Sequence, residues 1–548
     1  MRKDTGTKGT ESKGTESKGQ GGATLWRTTA LAGLLAAGML ATGSASAQTI
    51  TVSRAIDADR YDPHLSTARS TAEVLFMMAD TLVGLDYDMK TITPNLAESW
   101  TVSEDGKTYT FKLKSGITFC DGKPLTAQSV VDSQMRWQNH PKGVTKWRGG
   151  PIDAITAPDE LTVEYKLKNP YSELLFQLTQ HNNLIIDTAS VDALGEDFGV
   201  KGFNGSGPYC WESWTPRDQL VMTKHAGYAW GPPIYDNQEA QVDKVVWKIV
   251  PEESTRVASI QTGQTDILQY VPEWAIPEMQ GMPSLFVNQA EAYFWTAYVG
   301  MKITRPFMGD LNVRKAINLA IDQAAITEGL YFGLAKPADT YIAPGVLDFK
   351  DGMDLSHFGH DPAKAEALLD AAGWTKGSDG FRHKDGQKME LTAYGFQNNW
   401  GAPALEAIQG DLRKVGIDLN VQNFDATIVW GKLATQDFDM FTMSYPYVSA
   451  GDAMNLYFRS ANMPTPNRMN WDDAETDAWL QQASSALTDA ERAEYMGKVQ
   501  EKVHAAAVWI PIAHTPLFLV GSARKLQPIR AHGIYGAGLY KGLGIVPK

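Results

Sequence analysis

Residues 97–134, AESWTVSEDGKTYTFKLKSGITFCDGKPLTAQSVVDSQ, constrain the fold more tightly than any other part of the chain. The EDGK at 104–107 is a turn signal, because Asp-Gly accepts the positive φ that tight turns need. Beyond it, Tyr109, Phe111 and Leu113 alternate with Thr108, Thr110 and Lys112, the period of a half-buried strand. Phe119-Cys120-Asp121-Gly122 reads as a second short strand entering a second turn. Thr126 occupies an N-cap position and opens a helix running to about Trp137. The result is a rigid β-β-α unit. It holds no nucleophile, no metal-ligand cluster and no phosphate cradle, so it is scaffold.

The same residues resemble one family. Trp100 followed by Asp105-Gly106-Lys107, Tyr109, Phe111, Leu113, Gly116, Phe119, Asp121-Gly122, Pro124-Leu125-Thr126-Ala127 and Val130 spells DGKxYxFxLxxGxxFxDGxPLTAxxV. This is similar to the signature of the large solute-binding proteins of ABC importers, in their peptide/nickel/oligopeptide branch (family 5). The resemblance implies an α/β protein with the two-lobed periplasmic binding protein fold: type II, large cluster C with an extra subdomain, and a ligand cleft between the lobes. It implies binding without bond chemistry, no cofactor, and an inner-membrane ABC permease with its ATPase as partner.

The N-terminus is set aside first. Residues 1–22 are polar, Gly-rich and Lys-rich, with GTESK repeated. Arg27 and an apolar run at about 30–41 follow, then Ala45-Ser46-Ala47, an A-x-A cleavage site. The run is short for a bilayer span, and no Cys follows it to carry a lipid. A cleaved signal peptide over 1–47 and a soluble periplasmic protein are expected; an uncleaved anchor is the other reading. The leader holds six Lys/Arg against three Asp/Glu, so the remaining 501 residues carry −16 rather than the −13 of the whole chain. Such a length supports two to four folding units. An acidic chain is a poor nucleic-acid partner, since phosphate attraction needs a basic face.

The rest alternates helix and strand signals. Residues 49–53 read as a first strand, 70–82 as a helix, 161–167 as a strand. Gly205-Ser206-Gly207-Pro208-Tyr209 resembles the family's GTGPY; strands rather than a helix follow it, which removes the phosphate-loop reading. Residues 288–301 look like the crossing into a second lobe. Val313, Ala316, Ile317, Ala320 and Ile321 lie on one helical face. The segment after Asp361-Pro362 is a capped helix ended at Gly373, and the next helix stops at Gly416 before a strand at 417–421. Helix–Gly–strand repetition means an α/β lobe. The tail from Trp509 is expected to return to the first lobe. The expected division is 48–292 for lobe I, 293–512 for lobe II and 513–548 for the return.

Candidate ligand residues come from polar or aromatic side chains that interrupt apolar segments, and from segments through which relatives touch ligand. After the turn Asp62-Pro63-His64, in which His64 reads as a turn residue, Ser66 and Thr71 fall where relatives make contacts. Trp147 in the polar loop 139–150 is either a core plug or a stacking platform, and Arg148 beside it suits a ligand carboxylate. His181, Asn182 and Asn183 break the apolar run 174–186, so they cap a turn or face a polar cavity. Some relatives carry a carboxylate-binding Arg where Asn182 stands. Tyr445, Tyr447 and Asp452 occupy the family's main contact segment. Peptide binders place an amino-group-binding Asp there; Asp452 matches that residue or the structural Asp that follows. Cys120 and Cys210 beside family motifs invite a disulfide in an oxidising compartment, the alternative being two small buried apolar residues. The ten His residues lack metal-ligand spacing, and no HExxH, CxxC, GxSxG or Walker motif occurs.

The expected function is capture of a small solute by lobe closure and its delivery, by a monomer, to an ABC import permease. A peptide or peptide-like ligand leads; a sugar, opine or metal chelate is the alternative within the class. Rivals from other classes are a secreted hydrolase and a periplasmic peptide-binding chaperone.

Overall fold

The computed structural model describes residues 48–143, 145–291, 295–397, 400–447, 449–533 and 538–548. The leader expected at 1–47 lies outside them. A seven-stranded sheet runs in the order Leu285–Gln289, Phe518–Ser522, Ile267–Leu268, Thr49–Arg54, Lys244–Ile249, Gln219–Lys224, Tyr209–Thr215. A six-stranded sheet runs Lys336–Pro337, Trp509–Thr515, Trp295–Met301, Met440–Pro446, Glu390–Phe396, Asp418–Phe424. The chain crosses between the sheets twice, after Gln289 and after Thr515. The two crossings lie side by side: Leu285–Gln289 pairs antiparallel with Phe518–Ser522, and Trp295–Met301 pairs antiparallel with Trp509–Thr515. Trp509 through Thr515 therefore stays in the six-stranded sheet, and the return begins only at Phe518. Its burial on both faces suits a sheet interior.

The scaffold stretch forms as its pattern dictates, with one exception. Ala97–Val102, Thr108–Leu113, Thr162–Leu167 and Ile152–Asp159 make a four-stranded antiparallel sheet. Tyr109, Phe111 and Leu113 point inward onto the helix Ala127–Asn139 side, joined there by Val130. Thr126 caps that helix in a reciprocal box with Ser129. Phe119-Cys120 is not a strand; Thr118 makes a single bridge to Pro124, and the Cys120 N–H donates to Gly205 O at 2.9 Å. The turn is too tight for a longer ladder.

The first helix covers Arg69–Met78 and stops four residues short of the patterned end at 82. Asp80 ends it. Its carboxylate is fully buried and accepts from Lys541 Nζ, Ser206 Oγ and Trp230 Nε1. A helical Asp80 could not reach these partners.

Cys120 and Cys210 form a disulfide that ties the four-stranded unit to the strand Tyr209–Thr215, across 90 residues of chain. Closing so long a loop restricts the unfolded chain, so Cys120→Ser/Cys210→Ser should cost about 2–4 kcal/mol in urea denaturation. Thiol titration of denatured, unreduced wild type should find none; two thiols per chain would end the claim. Among the described residues no helix is long and apolar enough to cross a membrane.

Candidate functional site

A cavity of about 730 Å³ lies where segments from both large sheets meet. On the first-sheet side it is lined by Asp59, Arg69, His181 and Asn182, with Trp147 and Arg148 from the loop after helix Ala127–Asn139. On the other side stand Trp295, Phe396, Trp430, Tyr445 and Arg468.

Five of the ten expected ligand residues line it: Trp147, Arg148, His181, Asn182 and Tyr445. Trp147 is 43 % exposed at the cavity, so it is no core plug. Arg148 is buried and already engaged. One Nη donates to Tyr445 Oη at 3.0 Å and lies 3.3 Å from Asp452 Oδ1. Burial works against its charge, but Tyr445 and Asp452 more than offset this and raise its pKa. His181 donates through Nε2 to Ser66 O at 3.1 Å, and burial pushes its pKa down to about 4, so it is neutral. Asn182 Nδ2 donates to Pro63 O at 2.8 Å, while its Oδ1 is buried without a partner.

The other five do not line the cavity. Ser66 and Thr71 are buried, and both hydroxyls donate to Asp59 Oδ1, at 2.6 and 2.7 Å. They set Asp59, which does line it. Asn183 turns inward to Gln177 O. Tyr447 is 1 % exposed and packs edge-on to Tyr457 at 6.2 Å; it is a core residue because the chain turns inward after Pro446. Asp452 is buried behind Arg148 and serves it as counter-ion. His64 is buried in its turn against Arg136, as its turn reading expects.

The contact segment also docks the two halves. Ser449 Oγ donates to Glu173 Oε2 at 2.8 Å and caps the helix Ala450–Phe458. A Cβ at Gly451 would lie 2.4 Å from Glu173 Oε1, so a larger residue there would push the carboxylate away from Ser449. Burial pushes the Glu173 carboxyl up to about 7.

Several lining residues carried no sequence signal. Asp59 sits in DADRYD, which reads as a solvated loop, and Arg468 in a Pro-rich polar segment. Each of three tryptophans carries an arginine on its face: Arg69 on Trp295 at 4.2 Å, Arg148 on Trp147 at 5.4 Å, Arg468 on Trp430 at 5.4 Å. Arg69 also lies 2.6 Å from Glu73 Oε1, close but not aligned as a hydrogen bond. Arg468 is 9 % exposed, and burial pulls its pKa below the ordinary arginine value. Among the described residues it has no carboxylate partner and no side-chain hydrogen bond.

Two sheets joined by paired crossings, with a solute-sized cleft where they meet, are the architecture of a two-lobed α/β solute-binding protein. The chain belongs to the bacterial extracellular solute-binding proteins, family 5, whose profile matches residues 91–464. It is 28 % identical over 470 residues to the glutathione-binding protein GsiB of Escherichia coli O1:K1 / APEC, across 83 % of this chain and 86 % of that one. Two solved structures share the fold. DppA of Helicobacter pylori, in complex with the peptide STSA, superposes with TM-score 0.77 at 22 % identity, covering 90 % of this chain and 97 % of that one. NikA of Brucella suis, in complex with Fe(III)-EDTA, gives 0.77 at 24 %, covering 91 % and 100 %.

Proposed function

We propose that the mature chain is a periplasmic carrier that encloses a peptide or peptide-like solute and hands it, as a monomer, to an inner-membrane ABC permease driven by its ATPase. The observation that carries this reading is the cavity of about 730 Å³ lined from both sheets. A solute there touches both lobes, so its binding favours the closed arrangement by the differential contact. The first lobe takes 48–289 and 518–548, the second 295–515, and residues 1–47 are the cleaved leader. The names of two similar proteins, a glutathione-binding protein and a periplasmic protein holding a tetrapeptide, support a peptide-like cargo. Trp147, His181, Asn182 and Tyr445 meet the solute, with Arg148 behind Tyr445. Ser66 and Thr71 act through Asp59. Membership of a solute-binding family supports a carrier rather than an enzyme.

Native mass spectrometry of the protein from its own cell should release a stoichiometric small solute. Calorimetry with that solute should show Trp147→Ala weakening binding by about 1–3 kcal/mol, the cost of losing an aromatic anchor. The melting temperature without ligand should stay put, because Trp147 is 43 % exposed. Native affinity in the variant removes Trp147 from the site; turnover of the solute replaces the carrier by a hydrolase.

A further inference from the structure

We propose that Arg468 is the cleft's receptor for a carboxylate on the solute and that Asp59 takes the solute's cationic group, so the cargo is a zwitterion gripped by one charge from each side. This rests on the carrier reading and deepens it.

The three cleft arginines are not equivalent. Arg69 has Glu73 beside it at 2.6 Å, and Arg148 has Asp452 at 3.3 Å. Arg468 has the face of Trp430 and no acid among the described residues, although nine-tenths of it is buried. An uncompensated buried cation is costly, and a carboxylate delivered by a ligand removes that cost. The guanidinium fork matches a carboxylate in geometry as well as charge.

Asp59 is the complementary case. It is exposed at the cavity, and Ser66 Oγ, Thr71 Oγ1 and the Arg60 N–H all converge on its Oδ1. That orients the carboxylate and leaves Oδ2 for a donor. Among the described residues no cation pairs with Asp59. Once Arg69–Glu73 and Arg148–Asp452 cancel, the described lining residues of the cleft keep one cation and one anion. Asp59 follows the strand Thr49–Arg54 of the seven-stranded sheet; Arg468 lies between helices Ala450–Phe458 and Ala474–Ser485 on the other side. A solute bridging them would hold the lobes together. Trp147 and Trp430, both partly exposed, line the same cavity and offer apolar surface to the body of such a solute.

The test is calorimetry on the mature chain with trialanine, its C-terminal amide and its N-acetyl form. Arg468→Met should weaken trialanine about ten- to a hundredfold and leave the amide nearly unchanged. Arg468→Lys should keep part of the affinity. Asp59→Asn should weaken trialanine and spare the N-acetyl form. Without ligand, Arg468→Met should melt at or above the wild-type temperature, because it removes an unpaired buried charge. A lower melting temperature makes Arg468 a structural residue and overturns the proposal. So does equal loss for acid and amide, or no heat from trialanine in the wild type. A neutral solute recovered from the native protein ends the zwitterion and leaves the carrier standing. If no solute is recovered and no probe closes the lobes, the carrier reading itself fails.

Discussion

Lys541→Met should destabilise the protein by about 3–5 kcal/mol, the cost of leaving a buried acid without its cation. Lys541 and Asp80 are both wholly buried, with Nζ 2.5 Å from Oδ1. Nζ also donates to Ala79 O at 2.9 Å, which closes the end of the first helix. Asp80 keeps neutral donors in Ser206, Trp230 and Tyr228, at 3.0, 3.2 and 3.4 Å. Those dipoles cannot replace a full charge in an interior. The pair fastens the C-terminal tail to the helix and to the segment after Gly205. Urea denaturation followed by tryptophan fluorescence should therefore show an early loss of the first-sheet half. Asp80→Asn added to Lys541→Met should recover much of the loss, since Asn can still accept from Trp230 and donate to Ala79 O. A loss below about 1 kcal/mol in the single variant means the carboxylate is hydrated or protonated there, and the pair is not the anchor.

Much of this fold is legible in the sequence because local and tertiary preferences agree. Tyr109, Phe111 and Leu113 alternate and do face a core; Thr126 can cap and does. Gly373 and Gly416 end their helices with φ of 84° and 86°, conformations glycine adopts freely. The failures arise where distant residues decide. Nothing near residue 80 announces Lys541, 461 positions away, so the first helix reads too long. Trp509-Ile-Pro-Ile is apolar enough for either sheet, and only pairing with Trp295–Met301 assigns it.

The cleft is less legible, for a physical reason. Pattern reading finds polar residues that interrupt apolar runs, and that signal located His181 and Asn182 at the cavity wall. It cannot separate a wall residue from its support. Tyr445 and Tyr447 are two residues apart, and strand alternation alone would put both on one face; the strand ends at Pro446, and the turn after it sends Tyr447 into the core while Tyr445 stays at the cavity. Nor can it find charges whose burial is made by other segments. Arg468 is buried by a fold that sets it on the face of Trp430, a residue from another segment.

Asp452→Asn should separate cleft energetics from overall stability. Asp452 neutralises Arg148 from the helix Ala450–Phe458, while Arg148 belongs to the turn Lys146–Gly149 on the other side. Held in place, an unpaired Arg148 would cost about 3–5 kcal/mol. Unlike the Asp80 left unpaired in Lys541→Met, it has an escape: it lines a cavity, and parting of the two sides would let water reach it. The penalty then falls on the closed arrangement rather than on folding. The melting temperature should drop less than in Lys541→Met, while the ligand-free radius of gyration rises in small-angle scattering. Affinity for the co-purified solute should fall by about two to four orders of magnitude, the same free energy read as a population shift. Arg148→Met with Asp452→Leu removes both charges and should return the radius of gyration to the wild-type value without restoring affinity. An early melt with an unchanged radius would make the pair an ordinary core contact. Wild-type values of all three quantities would mean that Tyr445 alone satisfies Arg148, and that the pair holds nothing closed.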